Sequence, residues 1–79
     1  NLLNEYDINN IRINHYDLYR IKSSKEIDNL GIFENIYDSI TLIEWPQMIE
    51  KKPKEIIEFK FNYEKDYQKR SICIKGLSI

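Results

Sequence analysis

The stretch ITLIEW at residues 40–45 decides the fold, because it is apolar on both faces until Glu44. A strand with two apolar faces is typical of the interior of a sheet that helices cover above and below. Pro46 cannot donate a ladder hydrogen bond, so we expect the strand to end there. This pattern favours an α/β fold.

The segments before this strand predict a hairpin and a helix. Residues 2–6 and 11–19 are short strand patterns joined by a turn-forming run, which favours antiparallel pairing. Ser23 and Glu26 have the spacing of a capping box, so a helix is expected to begin there. Gly31 can adopt the left-handed conformation that ends such a helix. The two elements therefore precede the buried strand in the order hairpin, then helix.

Short turns and a second strand pair complete the predicted elements. Single helical turns are expected at residues 33–37 and 47–50. Residues 55–63 and 70–75 alternate and predict a closing antiparallel pair, with a bend at Gly76. The alternation places one apolar stripe on a single face, and we expect this stripe to be sheet core: Ile57, Phe59, Phe61 and Tyr63.

Length and charge limit the function classes. A chain of 79 residues suits a single domain spanning 1–79. Twelve basic and thirteen acidic side chains give a net charge of −1, so direct sequence-specific nucleic-acid binding is not expected. No apolar run approaches the roughly 18 residues of a membrane span. The single cysteine, Cys73, cannot form an internal disulfide, and a cytoplasmic location is expected.

Two carboxylates are the first candidates for chemistry. Asp17 lies late in its predicted strand, and Glu44 lies at the end of the buried one. Ligands of open α/β sheets bind at the carboxyl ends of strands, where such carboxylates hold magnesium or orient an attacking water. A purely structural interpretation is that Asp17 pairs with Arg12 or Arg20 and that Glu44 caps the turn that follows it. Spacing alone leaves both interpretations open.

Two further side chains lie beside these carboxylates in the sequence. His15 shares a face with Asp17 and is a candidate metal ligand or general base, or a partly buried structural histidine. Trp45 is either a core aromatic or an exposed anchor for a partner.

Motifs at several places resemble one protein family. HYDLYR at 15–20 resembles the H-x-D-L-Y-R motif of TsaE, the bacterial ATPase of tRNA threonylcarbamoyladenosine biosynthesis. LG at 30–31, followed by Glu34, is similar to that family's helix end, and LIEWP at 42–46 is similar to its IEWP strand end. NLLNEY at 1–6 resembles the stretch after its S-P-T-F switch motif. The resemblance covers essentially the whole chain.

The resemblance implies a P-loop NTPase fold that binds ATP and Mg²⁺ and works with the TsaB and TsaD proteins. It gives Asp17 the role of the Walker-B-like carboxylate near the magnesium. Glu44 becomes the second acidic residue, which orients water or senses the γ-phosphate. Trp45 and His15 are then candidate contacts beside the nucleotide.

The sequence departs from the family at its phosphate-binding loop. The chain has two glycines and contains neither the G-x-x-G-x-G-K-T-T-like loop nor the switch motif. We therefore expect the carboxyl-terminal part of a P-loop NTPase-like domain: a partial sheet with helices and flanking antiparallel strands. Alone it is expected to be inactive, and the open edge of its buried strand is expected to cause self-association or poor stability.

Two alternatives to an ATPase subunit remain open from the sequence. One is a non-catalytic protein-interaction module, or a truncated remnant, that keeps only the partner surface. The other is an unrelated small α+β binding domain, which would be favoured if Asp17 and Glu44 pointed to opposite sides of the sheet.

Overall fold

A computed structural model describes two separate β-sheets and a short helix over residues 2–34, 36–65 and 68–76. The first sheet has the strand order β1-β2-β3, and the second pairs β4 with β5. The elements in chain order are β1 (Leu3–Ile8), β2 (Ile11–Asp17), α1 (Ser24–Leu30), β3 (Ile40–Glu44), a 3₁₀ turn (Pro46–Met48), β4 (Glu58–Tyr63) and β5 (Arg70–Lys75).

The predicted hairpin at the start of the chain is confirmed. β1 and β2 pair antiparallel, and the ladder runs up to the pair Ile8 and Ile11. Asn9 and Asn10 connect them with positive φ values of 50° and 67°. Two central residues with positive φ are the feature of a type I′ turn, whose twist matches that of the paired strands. The turn therefore fixes the register of β2.

The predicted helix is confirmed at both of its ends. The Ser23 hydroxyl accepts a hydrogen bond from the backbone N–H of Glu26 at 3.4 Å, and the Glu26 carboxylate accepts from the N–H of Lys22 at 3.3 Å. Gly31 ends α1 in the left-handed conformation, with φ 61°. The first bond satisfies a donor that the initial helical turn leaves unpaired, and the second fixes the chain just before the N-cap.

The helical turn predicted at 33–37 stays a prediction, because its centre is not described. The N–H of Glu34 donates to the Gly31 carbonyl at 3.2 Å and closes a turn directly after α1. Asn35, at the centre of the predicted segment, lies outside the described residues. The turn predicted at 47–50 is present as the 3₁₀ turn, which begins at Pro46.

β3 pairs parallel to β2 at an edge of the first sheet. Parallel neighbours need a crossover connection, and α1 lies in that connection. The prediction that β3 is covered on both faces is wrong for the described residues, because Ile40 and Leu42 are 47% and 50% exposed. Within the same residues, no strand pairs with the outer edge of β3, so the predicted open edge is present.

The core lies on one side of the first sheet, the side that faces α1. Its buried members come from β2, α1 and the segments that follow them: Tyr16, Leu18, Ile27, Ile32 and Ile49. Burial, with contributions from the carboxylates of Glu5 and Glu34, raises the pKa of the Tyr16 phenol above its usual value.

The opposite side of the first sheet is an apolar surface that the described residues leave uncovered. Register partners share a face, so alternate residues of all three strands meet there. We call this surface the open face, and its exposed apolar members are Tyr6, Ile8, Ile11, Ile40 and Leu42.

The second sheet confirms the predicted closing pair, although β4 begins at Glu58 and not at 55. Phe59 pairs with Ile74, and Phe61 pairs with Ile72, so the apolar side chains share one face as predicted. The prediction that this face is core is wrong, because Phe61 is 72% exposed. The predicted bend at Gly76 is present with φ 97°, and residues 77–79 lie outside the described residues.

The described part of the chain is therefore a mixed α/β structure with a small partly parallel sheet. This architecture is compatible with a partial NTPase-like fold. Among the described residues, no helix has the length and apolar character that crossing a membrane requires.

We predict that the isolated chain self-associates through the open face and the free edge of β3. Its weight-average mass in sedimentation velocity should rise with protein concentration. Leu42→Lys places a charge at both features and should shift the distribution toward monomer, because desolvating a lysine opposes association.

Tyr37→Lys is the matched control, since Tyr37 is 96% exposed and lies in a turn outside the strands of the sheet. A monomeric parent chain with a sharp, reversible thermal transition at every concentration would contradict the prediction.

Candidate functional site at the ends of strands β2 and β3

The two candidate carboxylates lie next to each other at the ends of two parallel strands. Asp17 is the last residue of β2, Glu44 is the last residue of β3, and the two are register partners. The N–H of Leu18 donates to the Glu44 carbonyl at 3.0 Å and extends the pairing past the strand ends. Register partners in a parallel ladder project to the same face. The condition that would have favoured an unrelated domain, opposite projection, is therefore not met.

His15 joins this pair through a side-chain contact. Its Nε2 lies 2.6 Å from Oε1 of Glu44. His15 and Asp17 are two positions apart along β2, so alternation places both side chains on the face that carries Glu44. The His15 side chain is 27% exposed and that of Glu44 is 55% exposed, so the contact lies at the border of the solvent. The structure thus brings together three of the four side chains predicted from the sequence.

Asp17 is held by the turn that follows its strand. Its Oδ1 accepts a hydrogen bond from the backbone N–H of Tyr19 at 3.1 Å. The alternative in which Asp17 pairs with an arginine is wrong for the described residues. The Arg12 side chain instead lies 3.6 Å from the Glu5 carboxylate and 3.4 Å from that of Asp7, and no ion pair among these residues involves Asp17. A short turn and a carboxylate without a counter-ion leave Asp17 able to take a cation.

Trp45, the fourth predicted side chain, leaves the strand in a strained backbone conformation. Its φ of 60° lies in the left-handed region, which bulky residues rarely adopt. Its side chain is not core, since the residue is 50% exposed, and this favours the exposed-anchor interpretation. The indole packs edge-to-face on the ring of Tyr19, with ring centroids 5.0 Å apart. This pair forms an aromatic border beside the carboxylates.

The next question is which metal ion the carboxylates of Asp17 and Glu44 could hold. Within the described residues, no group of three or more histidine, cysteine or acidic side chains is arranged to enclose a metal ion. Magnesium is nevertheless commonly held by one or two carboxylates, with waters and substrate phosphates completing its octahedron. Asp17 and Glu44 fit that pattern and do not fit an all-protein cage.

Two contacts at this site were missed by sequence reasoning. The pairing of His15 with Glu44 depends on the β2–β3 register, and so does the packing of Tyr19 on Trp45. The sequence signal was the alternation that placed His15 and Asp17 on one face, but alternation within one strand does not identify a partner on another.

Comparison with known proteins agrees with the motifs. The profile of a family described as "Threonylcarbamoyl adenosine biosynthesis protein TsaE" matches residues 1–72. The chain belongs to the TsaE family. The family prediction made from the HYDLYR and IEWP motifs is thereby confirmed.

Individual TsaE relatives match over part of their length. A Rickettsia felis protein named tRNA threonylcarbamoyladenosine biosynthesis protein TsaE is 49% identical over 49 residues, which are 62% of this chain and 29% of that protein. The protein of the same name from Rickettsia bellii is 44% identical over 59 residues, 73% of this chain and 41% of its own length. The one from Borreliella burgdorferi is 44% identical over 50 residues, which are 61% of this chain and 36% of that protein. The matched segment thus spans less than half of each relative.

We predict that the fluorescence of Trp45 reports the aromatic pair directly, because the chain contains one tryptophan. Tyr19→Ala removes the ring that packs on the indole and should shift the emission maximum to longer wavelength as water replaces it. Tyr37→Ala is the matched control, since Tyr37 is 96% exposed. Equal emission maxima for the parent and Tyr19→Ala would show that the pair does not form in solution.

Proposed function

We propose that this chain carries the acidic part of an ATP- and magnesium-dependent site that supports tRNA threonylcarbamoyladenosine biosynthesis. The proposal rests chiefly on one observation: Asp17 and Glu44 are register partners at the ends of adjacent parallel strands. This is the edge at which α/β sheets bind nucleotides. Family membership supports the reaction class, since the matched relatives are named for that biosynthesis.

In this proposal Asp17 helps to hold the magnesium ion of ATP. Its Oδ1 is already oriented by the Tyr19 N–H, so the carboxylate needs little rearrangement to accept a cation. Bound magnesium would supply charge stabilisation for the phosphoryl group that is transferred. Glu44 orients the attacking water or senses the γ-phosphate. Its side chain is 55% exposed, against 27% for His15, which suits a group that meets solvent.

The proposed site of Asp17 and Glu44 does not include the groups that would bind the phosphates of ATP. The sequence contains no glycine-rich phosphate loop, so the β- and γ-phosphates require backbone amides from another segment or another polypeptide. We propose accordingly that the chain alone does not turn over ATP.

Trp45 is the proposed contact to the TsaB and TsaD proteins. An exposed tryptophan beside an exposed tyrosine has the chemistry of an interface anchor, and both rings border the carboxylates. A partner bound there would lie against the nucleotide site. We also propose a cytoplasmic location, because the chain would act there with these proteins on tRNA.

A second candidate function is a non-catalytic interaction module that keeps the partner surface only. The exposed Trp45–Tyr19 pair supports this function, because the two rings offer a contact surface that needs no nucleotide. The two functions differ in nucleotide binding, so they are separated by the two experiments that follow.

We predict that the Asp17→Asn and Glu44→Gln substitutions lower ATP hydrolysis by the full-length gene product, assayed with TsaB and TsaD. Asp17→Asn removes charge from the magnesium shell and should cost about 100-fold or more. Glu44→Gln should cost about 100-fold while the nucleotide dissociation constant changes by less than about 3-fold. Single-turnover hydrolysis and nucleotide titration measure the two quantities.

Asp28→Asn and Glu50→Gln are the matched controls, because these exposed carboxylates lie outside the strands and, among the described residues, bond to none of the site side chains. Parent-like hydrolysis in both Asp17→Asn and Glu44→Gln would show that the carboxylates are structural. Absence of ATP binding in the parent would favour the interaction module.

We predict that Trp45→Ala weakens binding to the TsaB and TsaD proteins by about 10-fold or more, as loss of a central aromatic anchor does. Its nucleotide affinity should change less than its partner affinity. Tyr63→Ala serves as the control, since Tyr63 is an exposed aromatic on the other sheet. Calorimetric titration of each variant with the partner proteins gives both values, and undiminished partner binding by Trp45→Ala would exclude the anchor role.

A further inference from the structure

The shortest side-chain contact of the candidate site joins His15 to Glu44, at 2.6 Å between Nε2 and Oε1. An ionised carboxylate only accepts hydrogen bonds, so Nε2 of His15 must be the donor. This holds whether the imidazole is neutral or charged, because both forms can carry a hydrogen on Nε2. Hydrogen bonds to a charged group are short and strong, which agrees with the distance.

The contact with His15 holds the side chain of Glu44, whereas the strand holds only its backbone. The backbone of Glu44 is held by the β2–β3 ladder and by the Leu18 N–H, which donates to the Glu44 carbonyl at 3.0 Å. The side chain projects from the last residue of β3 and is 55% exposed. A carboxylate in that position would otherwise sample several rotamers.

The remaining oxygen of Glu44 stays available while His15 is bound. Within the described residues, Oε2 makes no hydrogen bond and no ion pair. His15 therefore engages one carboxylate oxygen and leaves the other for a water or a ligand atom.

We infer that His15 is a positioning residue that fixes the Glu44 carboxylate at the edge it shares with Asp17. The inference rests on the proposed function, because it explains how Glu44 is placed for the chemistry proposed there. It also changes the role expected for His15 itself. With Nε2 bound to Glu44, His15 acts on the nucleotide site through Glu44 and not as a direct nucleotide contact.

Placement of this kind has a measurable effect on rate. A displacement of about 1 Å at a reacting group can cost on the order of 100-fold in rate. The loss expected on removing the Nε2 donor is therefore comparable to the loss expected from Glu44→Gln.

A pair of amide substitutions isolates the Nε2 donor. Glutamine places its amide nitrogen at the same reach as histidine Nε2, whereas the amide nitrogen of asparagine lies one bond nearer the backbone. His15→Gln should therefore retain the contact to Glu44, and His15→Asn should lose it. Both substitutions are polar and uncharged.

The experiment uses the full-length gene product with TsaB and TsaD. We expect hydrolysis by His15→Gln within about 3-fold of the parent and hydrolysis by His15→Asn lower by about 30- to 100-fold. NMR couplings that report χ1 of Glu44 should show one rotamer in the parent and His15→Gln and averaging in His15→Asn. In a Glu44→Gln background, His15→Asn should cause no further loss, because residues that act as one unit are not additive.

Three results would overturn the inference: equal hydrolysis by His15→Asn and His15→Gln, a single Glu44 rotamer in both, or a further loss in the Glu44→Gln background. If the parent protein hydrolyses no ATP, the proposed function fails. The Glu44 couplings then still decide whether His15 positions this carboxylate.

Discussion

The parallel pairing of β2 with β3 is the constraint on which the rest of the structure depends. Asp17 and Glu44 become neighbours only because this ladder aligns the two strand ends. The same register brings His15 within reach of Glu44 and the ring of Tyr19 against that of Trp45. A shift by one residue would turn one strand's carboxylate to the opposite face and separate all of these groups.

Local signals predicted the elements that hold this register in place. The turn-forming run between residues 6 and 11 indicated the turn of the first hairpin, and Ser23 with Gly31 indicated both ends of α1. These predictions succeeded because turns and caps depend on the conformational preferences and hydrogen bonds of a few neighbouring residues. Strand position and motifs also pointed to Asp17 and Glu44 as candidate site residues, and the alternation of β2 placed His15 on the face of Asp17.

Burial could not be predicted in the same way. Alternation shows which side chains share a face, but what covers that face depends on other segments. The ITLIEW stretch and the Phe59–Phe61 stripe both have the apolar pattern of core strands, yet in the described residues each keeps a largely exposed apolar face. The contact between His15 and Glu44 could not be predicted either, because it depends on strand order and register.

The two glycines differ in what their surroundings allow, and this sets different limits on sequence drift. A Cβ at Gly31 would meet the end of the Glu34 side chain at 2.8 Å, and a flexible side chain can move aside. A Cβ at Gly76 would lie 2.1 Å from the backbone carbonyl oxygen of Ile56, which cannot yield without displacing the chain. Because φ is positive at both sites, each favours glycine, and asparagine is the natural replacement at position 31. At position 76 the Ile56 backbone leaves no room for a side chain, so only glycine fits there without a shift of the chain.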